Sequence, residues 1–308
     1  AEPAAPAETP AEPAAPAEPA APMETPAEPA EPAAPAETPA EPAAPAEPAA
    51  PMETPAAPAE PAAPAETPAE PAAPSESASA DSLPLDAPVS AYAPAEILLG
   101  QVDQYMTRME EAVATPEEYK DGATRIARDS NTVIVIALAL GMHDEDSKLK
   151  ANAPAILKAA QAVAAAEDYE AAKEAIGQLK TAVAEGGEGP ELKWEKVASL
   201  KELMEQVPLI HASIRRRVSR RFEKNTEGIA GDAATVAAIA QGTLPNTDET
   251  AEPDKPEEWV KYSLQMRNAA AELLAAAKAK NEEAANAAFT KLDQSCHDCH
   301  KVFDPSQL

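Results

Sequence analysis

The chain has 308 residues, a formal net charge of −28, 34 prolines and only 3% aromatic residues. This balance excludes a single ordinary globular domain. A chain this acidic is also a poor candidate for nucleic-acid binding, because phosphates would repel it. The longest apolar run, residues 133–140, is far shorter than the ~20 residues that a membrane-spanning helix needs.

The first 75 residues repeat short units of alanine, glutamate and proline, and they contain no lysine or arginine. Proline at nearly every third position removes amide donors and fixes φ, which blocks both helix and sheet and favours polyproline II. With the serine-containing stretch that follows, residues 1–90 are predicted to be a disordered spacer. A docking tail that binds the cell wall or a basic partner is the alternative.

From residue 95 onward the composition changes to helix formers, and apolar residues recur at helical spacing. Four helices are predicted, the second beginning after Thr115-Pro116, where threonine suits the N-cap and proline the first turn. The glycine-rich stretch at 186–190 then breaks the chain. We therefore expect a first domain over residues 91–187. Its helices are predicted at residues 95–114, 116–142, 147–166 and 168–184.

The same plan returns in residues 188–308, the expected second domain. Pro208 lies inside the first helix of this half and should kink or split it. The predicted fold class is all-α: two tandem antiparallel four-helix bundles after a disordered N-terminal tail. The helices of the second half are predicted at residues 191–222, 226–241, 256–280 and 281–303.

The last of these helices carries Cys296-His297-Asp298-Cys299-His300, the Cys-x-x-Cys-His signature of covalent haem attachment. Residues three and four apart are neighbours on a helix, so Cys296 and Cys299 can both reach the vinyl groups of one porphyrin. His300 then lies below the iron as its proximal ligand, and His297 is expected to be exposed. A zinc site with His297 and His300 is the alternative, but it lacks a second thiol pair.

The two halves resemble a duplication. Residues 129, 132, 133 and 136 match residues 232, 235, 236 and 239 at a constant offset. A similar alignment of the later helices places Cys296, Cys299 and His300 on Val183, Gly186 and Gly187. The first half therefore cannot hold haem covalently. Its one histidine, His143, is expected at the surface.

A four-helix bundle with Cys-x-x-Cys-His on its last helix resembles the class II c-type cytochromes, which comprise the cytochrome c′ family and its low-spin, Met-ligated relatives. The resemblance covers residues 191–303. It is strongest from Cys296 to Phe303, the aromatic residue three after the histidine, which it implies as a haem contact. Family members often carry a basic residue next, where this chain has Asp304.

The resemblance also implies a haem-facing residue on the first helix of the bundle. Leu200-Lys201-Glu202-Leu203-Met204 is similar to that segment, and Met204 falls where low-spin members place a methionine ligand. An apolar core methionine is the alternative, and His211, two turns further on, is the rival ligand. In five-coordinate cytochromes c′ no protein ligand completes the iron.

These features predict a monohaem c-type cytochrome, with one covalent haem c, that carries electrons and is not an enzyme. The alternatives are a five-coordinate cytochrome c′ that binds NO or CO, and a tethering protein in which haem is secondary. Covalent haem assembly implies export to the bacterial cell envelope or periplasm, and the chain starts like a processed one. The expected partner is a redox protein, with no nucleic acid and no membrane span.

Five arginines, at positions 215, 216, 217, 220 and 221, stand out in this acidic chain. They are expected to be a solvated helix end that suits the helix dipole; a docking patch for an acidic partner and a resting place for the acidic tail are the alternatives. The first half is expected to pack on the haem bundle through residues 133–140 as an internal pseudo-dimer, since the family commonly dimerises through its first two helices. A homodimer is the other arrangement.

Overall fold

The computed structural model describes residues 83–304, so residues 1–82 of the predicted disordered spacer lie outside the described residues. Its last residues, 83–90, are ordered, because they pack against Arg267 and lead into a short 3-10 helix at Val89–Ala91. Within that range the regular elements are helical, which confirms the all-α fold class. None of the described helices combines the length and apolar character needed to cross a membrane. The α-helices are α1 (Ala95–Ala112), α2 (Pro116–Gly141), α3 (Ala153–Ala164), α4 (Tyr169–Glu185), α5 (Leu200–Ser219), α6 (Phe222–Gly242), α7 (Pro256–Lys278) and α8 (Glu282–Phe303).

Side-chain caps set several of the helix starts, because they satisfy amides that lack an intrahelical partner. Thr115 accepts from the Glu118 amide before α2, as expected. Ser199 accepts from the Glu202 amide, so α5 begins at Leu200 and not near residue 191. Pro208 lies within α5 but does not split it, because the helix runs on to Ser219.

The helices form two bundles, each a closed ring of neighbours. We call α1–α4 the N-terminal bundle and α5–α8 the C-terminal bundle. Helices α1 and α2 pack on α6, and α2 also packs on α5. The run 133–140 is at most 1% exposed at every position. A Cβ added to Gly242 of α6 would lie 3.0 Å from Cγ1 of Val135, so this run approaches the second bundle closely, as the sequence predicted.

Buried polar contacts join the two bundles inside this packed surface. The hydroxyl of Thr235 donates to Oε1 of Gln101 over 3.1 Å. Nε2 of Gln206 donates to the Tyr105 hydroxyl over 3.2 Å. Because a buried polar group is costly without a partner, these paired groups favour one register of the bundles.

Each bundle also contains an ion pair between its first two helices. Arg108 lies 2.9 Å from Oδ1 of Asp129, and Arg217 lies 2.6 Å from Oδ2 of Asp232. The Asp129 contact is not an aligned hydrogen bond, and neither carboxylate oxygen accepts one. Burial raises the pKa of both carboxyl groups, that of Asp129 to about 6, against the opposing effect of the nearby arginines.

A segment before α1, residues 83–94, crosses the C-terminal bundle and is held there by one buried cation. Arg267 of α7 is fully buried, and its guanidinium lies over the Tyr92 ring, 4.9 Å from the centroid. Five oxygens accept its hydrogen bonds: the carbonyls of Leu83, Pro84 and Leu85 and the side chains of Gln241 and Asn268. We call residues 83–94 the strap.

The strap explains why the expected surface position of His143 is wrong. His143 is only 2% exposed, because the strap covers the end of α2. Its Nε2 lies 3.1 Å from the carbonyl oxygen of Ala93, and its Nδ1 accepts from the Glu145 amide. Both ring nitrogens of His143 therefore contact the backbone and help to hold the strap and the end of α2 in place.

Burial of Asp129 makes stability depend on pH. The pKa of its carboxyl group is about 6 in the folded chain against 3.8 ordinarily, so the folded state binds this proton more tightly than the unfolded state. The resulting stabilisation is complete below about pH 4 and is lost as the pH rises through 6. At pH 7 the ionised, buried Asp129 lowers the free energy of unfolding by about 3 kcal/mol. We expect the unfolding free energy of Asp129→Asn, relative to the native chain, to rise by about that amount between pH 4 and pH 7 in denaturant titrations. Asp103→Asn, an exposed change on α1, should show no such rise, and equal pH slopes for the two variants would contradict this account.

Candidate haem site

The motif residues share one side of α8. Asn281 caps this helix by accepting from the Ala284 amide. Cys296, Cys299 and His300 are half-buried, and His297 is exposed as predicted. Burial raises the pKa of the Cys296 thiol to about 11 and that of Cys299 to about 12, so both are protonated at neutral pH.

Both cysteines and His300 line a cavity of about 320 Å³ between α5, α7 and α8. Its wall is largely apolar. Residues that share this wall with the motif include Met204, Val207, Pro208, His211, Trp259, Tyr262, Met266 and Asp293.

A second cavity of about 730 Å³ lies beside the first. The two cavities share several lining residues, so they form neighbouring parts of one cleft between α5 and α8. The shared residues are Met204, Pro208, Trp259, Cys299 and His300. This cleft, with two thiols and an imidazole on one wall, fits a porphyrin attached by thioether bonds.

Met204 reaches this cleft from α5. Its side chain is half-buried and packs against the cluster of Leu200, Trp259 and Phe303, which Cys299 also contacts. The Ser199 cap fixes the start of α5, and packing against Leu200 and Trp259 holds Met204 in place. A second thioether, Met266 of α7, lines only the smaller cavity and was not predicted as a site residue.

His211, the rival ligand, also lines the smaller cavity but has other partners. Its Nε2 lies 3.0 Å from Oδ1 of Asp293, and its ring stacks on Phe289 with centroids 4.7 Å apart. The contact with Asp293 is close without being an aligned hydrogen bond. Burial lowers the pKa of the His211 imidazole, against the attraction of Asp293.

Aromatic rings close the cleft at the end of α8. Phe303 is buried and contacts Trp259 edge to face at 5.2 Å between centroids, with Tyr262 at 6.3 Å. Nε1 of Trp259 donates to the Thr243 carbonyl over 3.0 Å. The helical stripe on α7 places Trp259, Tyr262 and Met266 on one face, but it carries no signal that this face lines the site.

The family model described as Cytochrome C′ matches residues 196–304. This segment belongs to the cytochrome c′ family. The match covers the C-terminal bundle and confirms the family expected from the motif and the helix order. Neither the search of curated proteins nor that of solved structures found a match.

As a cytochrome c′ domain, the C-terminal bundle is the haem-binding part of a c-type cytochrome, and membership implies haem c. The cleft agrees with this cofactor, since the two thiols and His300 line the same space. The position after Phe303 holds Asp304, so no cation follows the aromatic residue. The family match does not extend to the N-terminal bundle. The origin of that bundle by duplication stays a prediction.

The Trp259 hydrogen bond ties α7 to the α6 end and, through Phe303, to α8. Trp259→Phe removes this donor, and the buried Thr243 carbonyl keeps only the Asn246 amide as a partner. We expect a loss of roughly 1–2 kcal/mol in the free energy of unfolding, measured by denaturant titration. The matched change at the chain's other tryptophan, Trp194→Phe, should cost less, because Trp194 is only half-buried. An equal cost at the two positions would contradict this role for the hydrogen bond.

Proposed function

We propose that the protein is a monohaem c-type cytochrome that carries electrons in the bacterial cell envelope, with iron held by His300 and Met204. One observation supports this proposal above the others: Met204 lines both parts of the cleft that His300 and Cys299 line. A thioether on α5 therefore faces the same space as the imidazole on α8. With histidine it gives the ligand pair that raises the potential of haem iron.

Bound haem c supplies a metal centre that accepts and releases one electron without bond-making chemistry. The residues of the chain hold and shield that centre. Cys296 and Cys299 would anchor the porphyrin to α8, and His300 would hold its iron. Trp259 and Phe303 cover one end of the cleft and exclude water there.

His211 is a weaker candidate for the sixth position than Met204. Its Nε2 is directed near Asp293, whose carboxylate lies three residues before Cys296. Asp293 also lies 3.5 Å from Arg215, so His211 belongs to a polar group at the rim of the cleft. The His211 imidazole therefore already has the Asp293 carboxylate as a neighbour and does not need iron as a partner.

The arginine-rich end of α5 supports docking of an acidic redox partner. Arg217 points inward and binds the Gly228 carbonyl and Asp232, so it is structural. The other four, Arg215, Arg216, Arg220 and Arg221, are exposed, and we call them the arginine tip. Arg215 contacts Asp293 at the rim of the cleft. Arg215 thus places positive charge at the rim of the cleft, and the rest of the tip adds positive charge at the same end of α5, where it can steer an anionic partner.

Localisation in the cell envelope rests on the family, since covalent haem c is assembled outside the cytoplasm. We propose that the residues before the strap, 1–82, serve as a spacer, and that the domains run from 91 to 187 and from 188 to 308, with the strap packed on the second. Packing of α1 and α2 on α5 and α6 supports an internal pseudo-dimer. In this arrangement the N-terminal bundle takes the place of a second subunit.

The Met204 assignment predicts a low-spin, six-coordinate ferric spectrum with a weak long-wavelength band from the methionine–iron bond. In Met204→Leu we expect that band to vanish and the ferric iron to become high-spin. Loss of the thioether should also lower the reduction potential by more than the 59 mV that corresponds to a tenfold change in a one-electron equilibrium constant. Absorption spectroscopy and a redox titration measure both effects.

Two matched variants serve as controls. Met266→Leu removes the other thioether of the smaller cavity, and His211→Gln removes the rival imidazole. Both should keep the methionine band. A native chain that is high-spin and binds CO in the ferrous form without displacing a ligand would contradict Met204 ligation and support the gas-binding alternative.

The arginine tip predicts a charge-dependent rate of electron transfer. In Arg216→Glu/Arg220→Glu, oxidation of the ferrous protein by ferricyanide, an anion, should slow several-fold at low ionic strength. Oxidation by the tris(phenanthroline)cobalt cation should become faster. Both changes should fade near 1 M salt, where the screening length falls to about 3 Å.

The control for the arginine tip carries the same change in net charge on another surface. Lys120→Glu/Lys158→Glu alters exposed lysines of α2 and α3. Stopped-flow rates with both oxidants should change little in that variant. Similar rates for the two double variants would indicate a dependence on net charge alone and would contradict local steering by the tip.

A further inference from the structure

One cation of the N-terminal bundle reaches the cleft of the other bundle. Arg128 of α2 lines the larger cavity together with Met204, Cys299 and His300. Helix α2 packs on α5, which brings Arg128 near Glu205, with Nη1 3.8 Å from Oε2. The cleft that would hold haem is therefore built from both bundles.

Arg128 has hydrogen-bonding capacity that the chain does not use. Its side chain is 19% exposed. Its Nε is buried and has no hydrogen-bond partner. The Glu205 contact is long, and Glu205 is shared with Lys201 at 3.3 Å. A guanidinium offers five N–H donors in a planar fork that matches a carboxylate.

The other charged groups of this cavity have partners of their own. Glu249 accepts from the Leu200 amide and from Nδ2 of Asn246, so it serves the start of α5. Lys201 contacts Glu202 and Glu205, and its side chain is 74% exposed. Asp304 stands at the end of α8. Among the described lining groups, Arg128 is the half-buried cation whose buried Nε donor is unused.

We propose that Arg128 binds a propionate carboxylate of the haem, so that the N-terminal bundle completes the haem site. This inference rests on the proposed function, since it needs haem in the cleft. The propionates are the haem's carboxylates, and a half-buried guanidinium with an unused donor can bind one of them through its planar fork. The positive charge of Arg128 near the iron also favours the ferrous state, which carries one positive charge less than the ferric state.

The test compares Arg128→Gln with the native full-length holoprotein. We expect the equilibrium constant for reduction by a fixed mediator to fall between twofold and tenfold, a tenfold fall being 59 mV for one electron. The propionate bending band in the resonance Raman spectrum should shift, because its hydrogen bond is lost. Arg128→Lys, which keeps the charge but not the fork, should restore the potential in part.

Arg125→Gln is the matched control. Arg125 lies one turn earlier on α2, its Nε is also buried without a partner, and it too lowers the pKa of Asp129. It lines neither part of the cleft. We expect the potential and the Raman band of this variant to match the native protein. Equal shifts in the two variants, or none in Arg128→Gln, would overturn the assignment.

The result separates this inference from the proposed function. A native chain that carries low-spin haem, with potential and Raman band unchanged by Arg128→Gln, would overturn only the role of Arg128. A native chain that lacks a c-type haem spectrum would overturn the proposed function itself. Thermal unfolding monitored by circular dichroism, with Arg128→Met as a second variant, shows whether a shift reflects a misfolded bundle.

Discussion

The helical repeat of α8 is the constraint on which the rest of the site depends. Positions 296, 299 and 300 share a side of that helix only because of their three- and four-residue spacing. That side faces α5, where Met204 and Pro208 form the opposite wall of the cleft. The start of α5 is fixed in turn by the Ser199 cap and by Glu249, which accepts from the Leu200 amide. Burial of its apolar face then decides which α5 side chain faces the motif.

The packing between the bundles extends this dependence beyond the haem domain. Helix α2 is buried along 133–140, and it carries Arg128 into the larger cavity. Polar contacts such as Gln206 with Tyr105 hold α1 against α5. A bundle without the motif can therefore influence the iron site through its position and charge. This gives the N-terminal bundle a role other than filling space.

Much of the fold follows from sequence periodicity, and the errors have local causes. The helix order and the family are readable because helical spacing and Cys-x-x-Cys-His are short-range signals. The start of α5 was placed too early, since 191–199 lacks a strong breaker and only the Ser199 cap marks the boundary. His143 was misplaced because its partner, the Ala93 carbonyl, lies 50 residues earlier in the chain. Arg128 could not be assigned to the cleft for the same reason, since its neighbours there are distant in sequence.

The strap makes the C-terminal bundle depend on residues that lie before the N-terminal bundle in the chain. A fragment that began at the glycine-rich linker would keep α5–α8 and lose residues 83–94. Arg267 would then lack three carbonyl acceptors and the ring of Tyr92, while remaining on the inner part of α7. Only the side chains of Gln241 and Asn268 would still accept from it, and a buried guanidinium with unused donors is costly in a protein interior. The linker therefore interrupts the helix pattern but does not separate two independent domains. The C-terminal bundle also needs the strap, which precedes the N-terminal bundle in the chain.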